Sequence, residues 1–557
     1  MKTSLFISTA FSMGMSCSAS AMETLPNDPV NLLKEQPRNV YHVIKDKTLL
    51  DAAKQISIRS GIEFKISKAI ESDVVGKKLT ADNWNAALTQ FLEGYNYSTV
   101  TNKGRIQFVF ITGKNGSGKA NENIAKSNSR WVAVKSENTK LPAHYRNYAA
   151  GSVMPVQLPM TKIVNAKLGQ KVMLDLPMGQ YMVNHDDFVD DGNGALTWMG
   201  YLENEGKGYR VFLSQGEAGI MGNISTPDGT YALETEGGRL FLVDEELAGL
   251  SLGGYENDQA IHEHSSILNL SKPDVMNPDS TVLSVGNQPA TMAAPALISA
   301  ANTLPSLVTA TAGGPVVDVM VLYTTVKQTA TYAKQRIKYL INLSNRAYQD
   351  SFINMRLRLV HTRATNYAER GSNSAALDDL ANSRGAFSGV AALRNQYGAD
   401  LVLLLRPYYA SASNNCGIAF VGFFSGSGAN PGSAFGAISD GTSREAPTNY
   451  YCGISTFTHE VGHTLGNVHD RAFSGFPGKF PYSYAWGISN KFGTIMSYYG
   501  PSLMLFATPK LPTQCTGLPC GYAEGSPTSS DQSRTINFTA PSVAKYKATK
   551  VTTPVIQ

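Results

Sequence analysis

Twelve residues, His459 to Asp470, read HEVGHTLGNVHD and constrain this chain more than any other stretch. His459 and His463 are four apart, so on a helix they lie one turn above each other on a single face. Neutral imidazoles placed that way can take two positions of a tetrahedral zinc. Glu460 projects beside the metal without ligating it, where a general base for water belongs. Gly466 lets the chain leave the helix in a left-handed conformation. That turn swings His469 back as third ligand. Three protein ligands leave one position open, which separates a catalytic zinc site from a closed structural one. At residue frequencies of a few per cent, chance gives this combination in about one chain in a million. An amphipathic helix with surface histidines is the bland alternative, and that rarity outweighs it.

The extended pattern resembles the metzincin family of zinc endopeptidases. That family carries a Met-turn beneath the metal, and GTIMSYYG supplies Met496 for it. Tyr498, two residues on, matches a tyrosine that some metzincins place near zinc. A plain core methionine and a buried aromatic are the alternatives for these two. Asp470, directly after the third His, is similar to the reprolysin (adamalysin) branch. VDVMVLYT, MRLRLVHT and LRNQYGADLVLLL resemble bacterial peptidyl-Asp metalloendopeptidases. The resemblance covers residues 316–549 and implies a metzincin catalytic domain cleaving peptide bonds, with selection for Asp as a further implication. A cation for such selection is not placed by the sequence; Arg444, Arg471 and Lys479 lie nearby along the chain, and surface charge explains each as well.

A length of 557 residues allows three or four domains. Charged residues are 16% and hydrophobics 42%, a globular balance, so a multidomain α+β protein is expected. The formal charge of +5 is mild, and no basic tract carries interleaved aromatics, which argues against nucleic acid as a partner. Residues 1–21 read as a signal peptide: Lys2, a mostly apolar Leu5 to Met15, and Ala19-Ser20-Ala21 before the cut. Cys17 raises lipid anchoring, but Gly14 stands where a large aliphatic is normal. No other stretch is apolar enough to span a membrane, so an exported protein, secreted or periplasmic, is expected, and the resemblance of the N-terminal module given below implies a Gram-negative-type bacterium. The remaining cysteines, Cys416, Cys452, Cys515 and Cys520, form an even set that suggests two disulfides in an exported chain. Three pairings exist; Cys416–Cys452 and Cys515–Cys520 are favoured, the latter around a tight Thr-Gly-Leu-Pro loop.

Before the catalytic domain the chain divides by composition. Residues 36–113 read as a small βαβ-type module, with strands at Tyr41–Ile44 and Ile62–Ile66, a helix from Leu49 stopped by Gly61, and a second helix capped by Asp82. Its phrase TLLDAAKQISIRSGIEF resembles the short N-terminal domain of secretins and TonB-dependent receptors, which implies a protein partner. Residues 114–130 read as a linker. Residues 131–264 look all-β, with runs such as KVMLDLP, ALTWMGYL, YRVFLS, TYALET and RLFLVD between turns. LTWMGYLENEGKGYRVFLSQGEAGIMGNISTPDGTYAL resembles propeptides of bacterial reprolysin-like enzymes, implying a zymogen. Adamalysin propeptides often place a Cys on zinc, yet none lies between Cys17 and Cys416. Another ligand or steric cover must then act; His185, His262 and His264 are candidates, though each also reads as a solvated loop histidine. Residues 265–315 suit a linker and a processing site, with Asp274, Asp279 and Asp318 in or beside it.

Within 316–549 the pattern predicts a strand at Val316–Tyr323, a long helix from Thr325 to Phe352, a strand at Met355–His361 and helix over 374–395. His361 reads as structural. A buried strand follows at Ala399–Leu405, then strands at Gly417–Val421 and Phe435–Ile438 border the cleft, with the edge near Phe435 receiving substrate. Ser455 or Thr456 caps the His459 helix, and a closing helix starts near Pro541. Acidic loops leave room for structural calcium, but no clean motif supports it. The competing function is a secreted binding or adhesion protein with a vestigial zinc site, which an intact Glu460 disfavours.

Overall fold

The computed structural model describes residues 40–551 except 103–104, 115–132, 135–140, 161–162, 164, 192–193, 253–257, 264–265, 270–312, 327, 414 and 444–449. The expected leader, most of the 114–130 linker and most of the processing region lie outside the described residues. Among the described residues no helix is long and apolar enough to cross a membrane.

In the N-terminal module the helix Leu49–Ser60 begins where Thr48 Oγ1 accepts from Asp51 N at 3.1 Å, and ends at Gly61, φ 72°. Asn83, and not Asp82, caps the second helix Trp84–Phe91, because its Oδ1 reaches Ala86 N at 3.0 Å. A strand missed in the sequence, Val74–Ala81, pairs antiparallel with Val40–Thr48. Glu63–Ile66, Arg105–Lys114 and Tyr95–Asn102 form a three-stranded sheet, and both helices bury their apolar faces against these strands.

The strand-rich domain is an antiparallel meander. Lys171–Leu176, Gly179–Asp190, Leu196–Leu202, Gly206–Gly216, Gly219–Thr226, Gly229–Glu236 and Arg239–Asp244 each pair with the next. Val153–Gln157 and Ala133–Val134 extend the far edge. Side chains alternate across a strand, and here Val211, Phe212 and Leu213 are all buried. Both faces of this part of the sheet are therefore covered.

In the catalytic domain Arg356–Thr365, Val316–Thr324, Leu401–Pro407 and Phe435–Thr442 lie side by side in parallel, and Gly417–Phe420 adds antiparallel to the last. Among the strands of 316–549 the outermost on this side is thus Gly417–Phe420, and the strand at Phe435 is interior; both are short apolar runs, and order in a sheet is set by pairing rather than by composition. The helix Ala330–Asp350 is capped by Thr329 and packs on this sheet. The stretch expected to be one helix over 374–395 is two, Asn373–Ala381 and Val390–Tyr397, because Ser383, Gly385 and Gly389 take φ of 52°, 52° and 84°. The closing helix Gln532–Val543 starts from Asp531, whose side chain accepts from Arg534 N, so Pro541 falls near its end. His361 is structural, its ring stacked 3.9 Å from that of Tyr397. Cys416–Cys452 and Cys515–Cys520 are the bonded pairs.

Segments assigned by sequence to the strand-rich domain and linker belong instead to the catalytic sheet. Gln259 and Ala260 pair parallel with Ala419 and Phe420, Ser251 and Leu252 with Tyr450 and Tyr451, and Ser266–Asn269 folds back on Gln259–Glu263. Ala260 is buried beside Ile418 and Phe420.

Candidate metal centre

The helix Thr456–Thr464 carries His459, Glu460 and His463. Ser455 precedes it without a side-chain cap bond; the helix is held from outside, by Thr458 Oγ1 and Ser344 Oγ at 2.8 Å. Gly466 takes φ +88°, and a Cβ there would lie 3.0 Å from Phe423 Cβ, so the turn after the helix requires glycine twice over. Val468 N then donates to Ser483 O at 3.1 Å, which fixes His469 facing back toward the helix.

The imidazoles are oriented from behind. His459 Nδ1 faces the Ile495 carbonyl at 2.8 Å and His463 Nδ1 the Asn467 carbonyl at 3.0 Å. An N–H at each Nδ1 leaves the Nε2 lone pair free. The Nε2 atoms of His459 and His463 each lie 3.1 Å from His469 Nε2. On a tetrahedral zinc with bonds of about 2.0–2.1 Å, nitrogens sit about 3.3 Å apart, so this donor set fits the ion. Burial lowers the pKa of His463 and takes that of His469 down to about 3, which keeps both neutral, as ligands must be.

Beside them Glu460 is buried, and its Oε2 has no hydrogen-bond partner among the described residues. Burial first, and the nearby Asp258 charge second, push its pKa well above the ordinary carboxylate range. Gly417 on the edge strand lacks a side chain exactly where a Cβ would strike the Glu460 carboxylate. Met496 is fully buried beneath the helix, and a Cβ on Gly462 would collide with its sulfur. Asp470 accepts from Tyr498 N at 2.9 Å, so the residue after the third His positions the segment after Met496. Burial raises the Asp470 carboxyl to about 6.

One member of the cluster is outside the motif. Asp258 Oδ1 lies 2.8 Å from His469 Nε2, and its Oδ2 3.3 Å from His459 Nε2. Tyr498 Oη donates to Asp258 Oδ1 at 2.5 Å. Asp258, His459, His463 and His469 together offer four convergent ligand atoms, all buried. The Gln259 side-chain amide meets His469 Nδ1. Of the histidines considered as inhibitory ligands, His185 is not in this place. His185 is buried in the strand-rich domain, its ring nitrogens 3.0 Å from the Lys167 and Asp187 carbonyls and its face on Trp198. His262 contributes backbone to Gln259–Glu263, and His264 lies outside the described residues. Nothing local marked Asp258: it is brought in by the pairing of Gln259–Ala260 with the edge strand. Of the cations near the motif, Arg471 donates to Pro481 O and Ser529 and covers the Tyr484 ring, and Lys479 Nζ donates to Ser427 O. Arg444 lies outside the described residues.

Residues 315–525 match the M12B reprolysin-like metallopeptidase family, and residues 126–247 match the BamI lipocalin-like domain. A peptidyl-Asp metalloendopeptidase of Pseudomonas aeruginosa is 34% identical over 257 residues, 42% of this chain and 41% of that protein. One from Xanthomonas campestris is 26% identical over 43% of this chain and 54% of its own length. One from Stenotrophomonas maltophilia is 28% identical over 37% and 46%. The chain thus spans about half the length of the curated relatives it matches. Among solved structures, metalloproteinase-II from Bacteroides fragilis is similar over 58% of this chain and 89% of its own, at 10% identity and a TM-score of 0.34, a likeness too distant to carry an argument. The motif, its buried donor set and the sequence matches converge on one conclusion: residues 315–525 of this chain are a reprolysin-like metallopeptidase domain.

Proposed function

We propose that this chain is an exported zinc metalloendopeptidase, made as a zymogen, whose metal position is closed by Asp258 until the segment carrying it is displaced. The observation that carries the reading is the convergence of three imidazole Nε2 atoms beside a buried, unpartnered Glu460 carboxylate. His459, His463 and His469 hold the ion. Bound zinc would supply a Lewis acid for the scissile carbonyl and the attacking water. Glu460 accepts a proton from that water and delivers it to the leaving amine; a carboxyl whose pKa burial raises above the ordinary carboxylate range is the stronger base for the first transfer. Gly417–Phe420 offers backbone groups on which an extended substrate can add as a strand. Met496 supports the base of the site in the Met-turn role, and Tyr498 stands close enough to the metal position to touch bound substrate.

Latency rests on position. Asp258 fills the place that a catalytic site leaves for water, and Gln259–Ala260 occupy the same edge strand that substrate would use. Selection for a substrate aspartate draws on the names of the relatives. A docking role for the N-terminal module draws on its resemblance and on the exposed Tyr41, Val43, Ile58 and Val74. The adhesion-protein alternative would leave an intact base without a purpose.

The test is to incubate the purified full-length chain with and without a zinc chelator and map every new terminus by mass spectrometry. Chelator-sensitive cuts between 265 and 318 are expected, with cuts before Asp274, Asp279 or Asp318 supporting aspartate selection. Glu460→Gln should keep one zinc per chain and lose peptidase activity by several orders of magnitude. Full activity in that variant would sink the mechanism.

A further inference from the structure

The strand-rich domain and the catalytic domain share their cores. Met199, Phe212 and Met221, from three adjacent strands of the meander, lie in one buried cluster with Ile337, Leu340 and the catalytic sheet. On the opposite face Trp198, Val211 and Leu213 share a cluster with Leu503, Leu505 and the Cys515–Cys520 disulfide of the catalytic domain. One face of the meander is therefore apolar toward the catalytic domain, and the cluster on its other face, built mainly from the meander's own residues, extends to Leu503 and Leu505. The approach is close: a Cβ on Gly208 would lie 3.1 Å from Gln514 O, and one on Gly216 would displace the Gln335 side-chain amide, 2.5 Å away.

The polar contacts are equally interior. Arg210, on the meander, pairs with Asp350 at the end of the long helix, both side chains 1% exposed. Arg210 also holds Asp186 at 2.7 Å, and Arg346 reaches across to Asp186 at 2.9 Å while holding its own Asp350 at 2.6 Å. Lys207 and Asp187 complete a group of three cations and three carboxylates. Separating the domains would break the pairs that Arg210 makes with Asp350 and that Arg346 makes with Asp186. Gln335 adds two bonds of 2.9 Å to the backbone of Ala218 and Gly219, Lys338 one of 2.7 Å to Asp191, and Asn342 one of 3.0 Å to Thr197. Interfaces between domains that come and go are more polar and less complete than this.

We infer that the strand-rich domain is a permanent partner of the catalytic domain and stays bound without a covalent link once the chain between them is cut. A propeptide designed to leave would meet the enzyme through a surface that both sides can expose to water, and this one does not. The latch then has two distinct parts. The strand-rich domain is a lasting subunit, and only the short stretch around Asp258 must move. A cut in 270–312 alone leaves that stretch tethered upstream to a domain that does not depart, at an effective concentration far above that of substrate. Release of inhibition needs a second cut upstream, between Asp244 and Asp258.

The experiment uses the full chain carrying Glu460→Gln, so that its result does not depend on whether the chain is an active peptidase. Sites for a sequence-specific protease are inserted at two places, within 270–312 and within 253–257. Both are cut to completion, which also removes the hold of the Asp258 segment, and the product is run by size exclusion with light scattering at about 1 µM. Co-elution of the two domains, at the mass of the uncut chain less the excised Asp258 segment or with it retained, and separation only in denaturant, are expected. Elution of the two halves as separate folded species in plain buffer would overturn the inference. As a second reading, Arg210→Ala with Asp350→Ala should raise the dissociated fraction at least tenfold after the double cut; no change in that fraction would show that the ion cluster does not hold the halves together.

Discussion

Asp258→Ala in the intact chain separates the latch from everything else in the site. The substitution removes the carboxylate that sits 2.8 Å from His469 Nε2 and accepts from Tyr498 Oη at 2.5 Å. It leaves the backbone bonds of the same segment, Ala419 N to Asp258 O at 3.2 Å and Val421 N to Ala260 O at 2.8 Å, together with the burial of Ala260. A hydrogen bond to a charged acceptor contributes about 1.5–3 kcal/mol. Loss of the contact with the metal position adds to that, so about 3 kcal/mol is a conservative total. At 1.4 kcal/mol per factor of ten, the open fraction of intact chain should rise about 100-fold. The assay is the initial rate on a quenched peptide, with mass spectrometry confirming that the chain is uncut and thermal melting confirming that it is folded. Tyr498→Phe should show the same direction at roughly a tenfold gain. If intact Asp258→Ala is no faster than its parent, while the chain cut on both sides of Asp258, within 253–257 and within 270–312, is active, the metal position is not what keeps the intact chain silent.

Three further outcomes follow from packing and charge. Gly462→Ala drives a Cβ into Met496 Sδ and to 3.3 Å from Phe506 Cε1, so overpacking of about 1–3 kcal/mol should lower the melting temperature, and an unchanged melt would mean that the segment at Met496 yields freely. Burial raises Asp400 to about 6, above its unfolded value near 4. The folded state therefore binds the extra proton between these values, and stability falls as pH rises through that window, by about 2–3 kcal/mol. Asp400→Asn should flatten this slope in urea titrations at pH 4 and 7; an unaltered slope would assign the effect elsewhere. Removal of residues 22–113 should leave peptide cleavage intact once the chain is activated, and loss of cleavage would tie the N-terminal module to the catalytic fold.

What could be read from the sequence was what is local. His459, Glu460, His463, Gly466 and His469 act within one helix and one turn, so their spacing carried their arrangement. The same holds for Gly61 and for the Cys515–Cys520 loop. The long helix was readable from its apolar period, although its start moved to Ala330 because Thr329 supplies the cap. What escaped is what depends on pairing across the chain. Asp258 meets His469 over a separation of more than 200 residues, through a strand of a few residues laid on another short strand. The order Leu401–Pro407, Phe435–Thr442, Gly417–Phe420 inverts chain order at the edge, and no composition signals that. Val74–Ala81 was passed over because Lys77 and Lys78 interrupt its alternation.

The Cys416–Cys452 bond joins the start of the edge strand to the end of Tyr450–Cys452. Those are the two strands on which the inhibitory segment lies, Gln259–Ala260 on one and Ser251–Leu252 on the other. One covalent bond therefore braces both strands at once, the bed proposed for substrate and the bed of the segment that carries Asp258. Both strands also pair with Phe435–Thr442 through their backbones, so the bond reinforces an arrangement that the sheet already assembles.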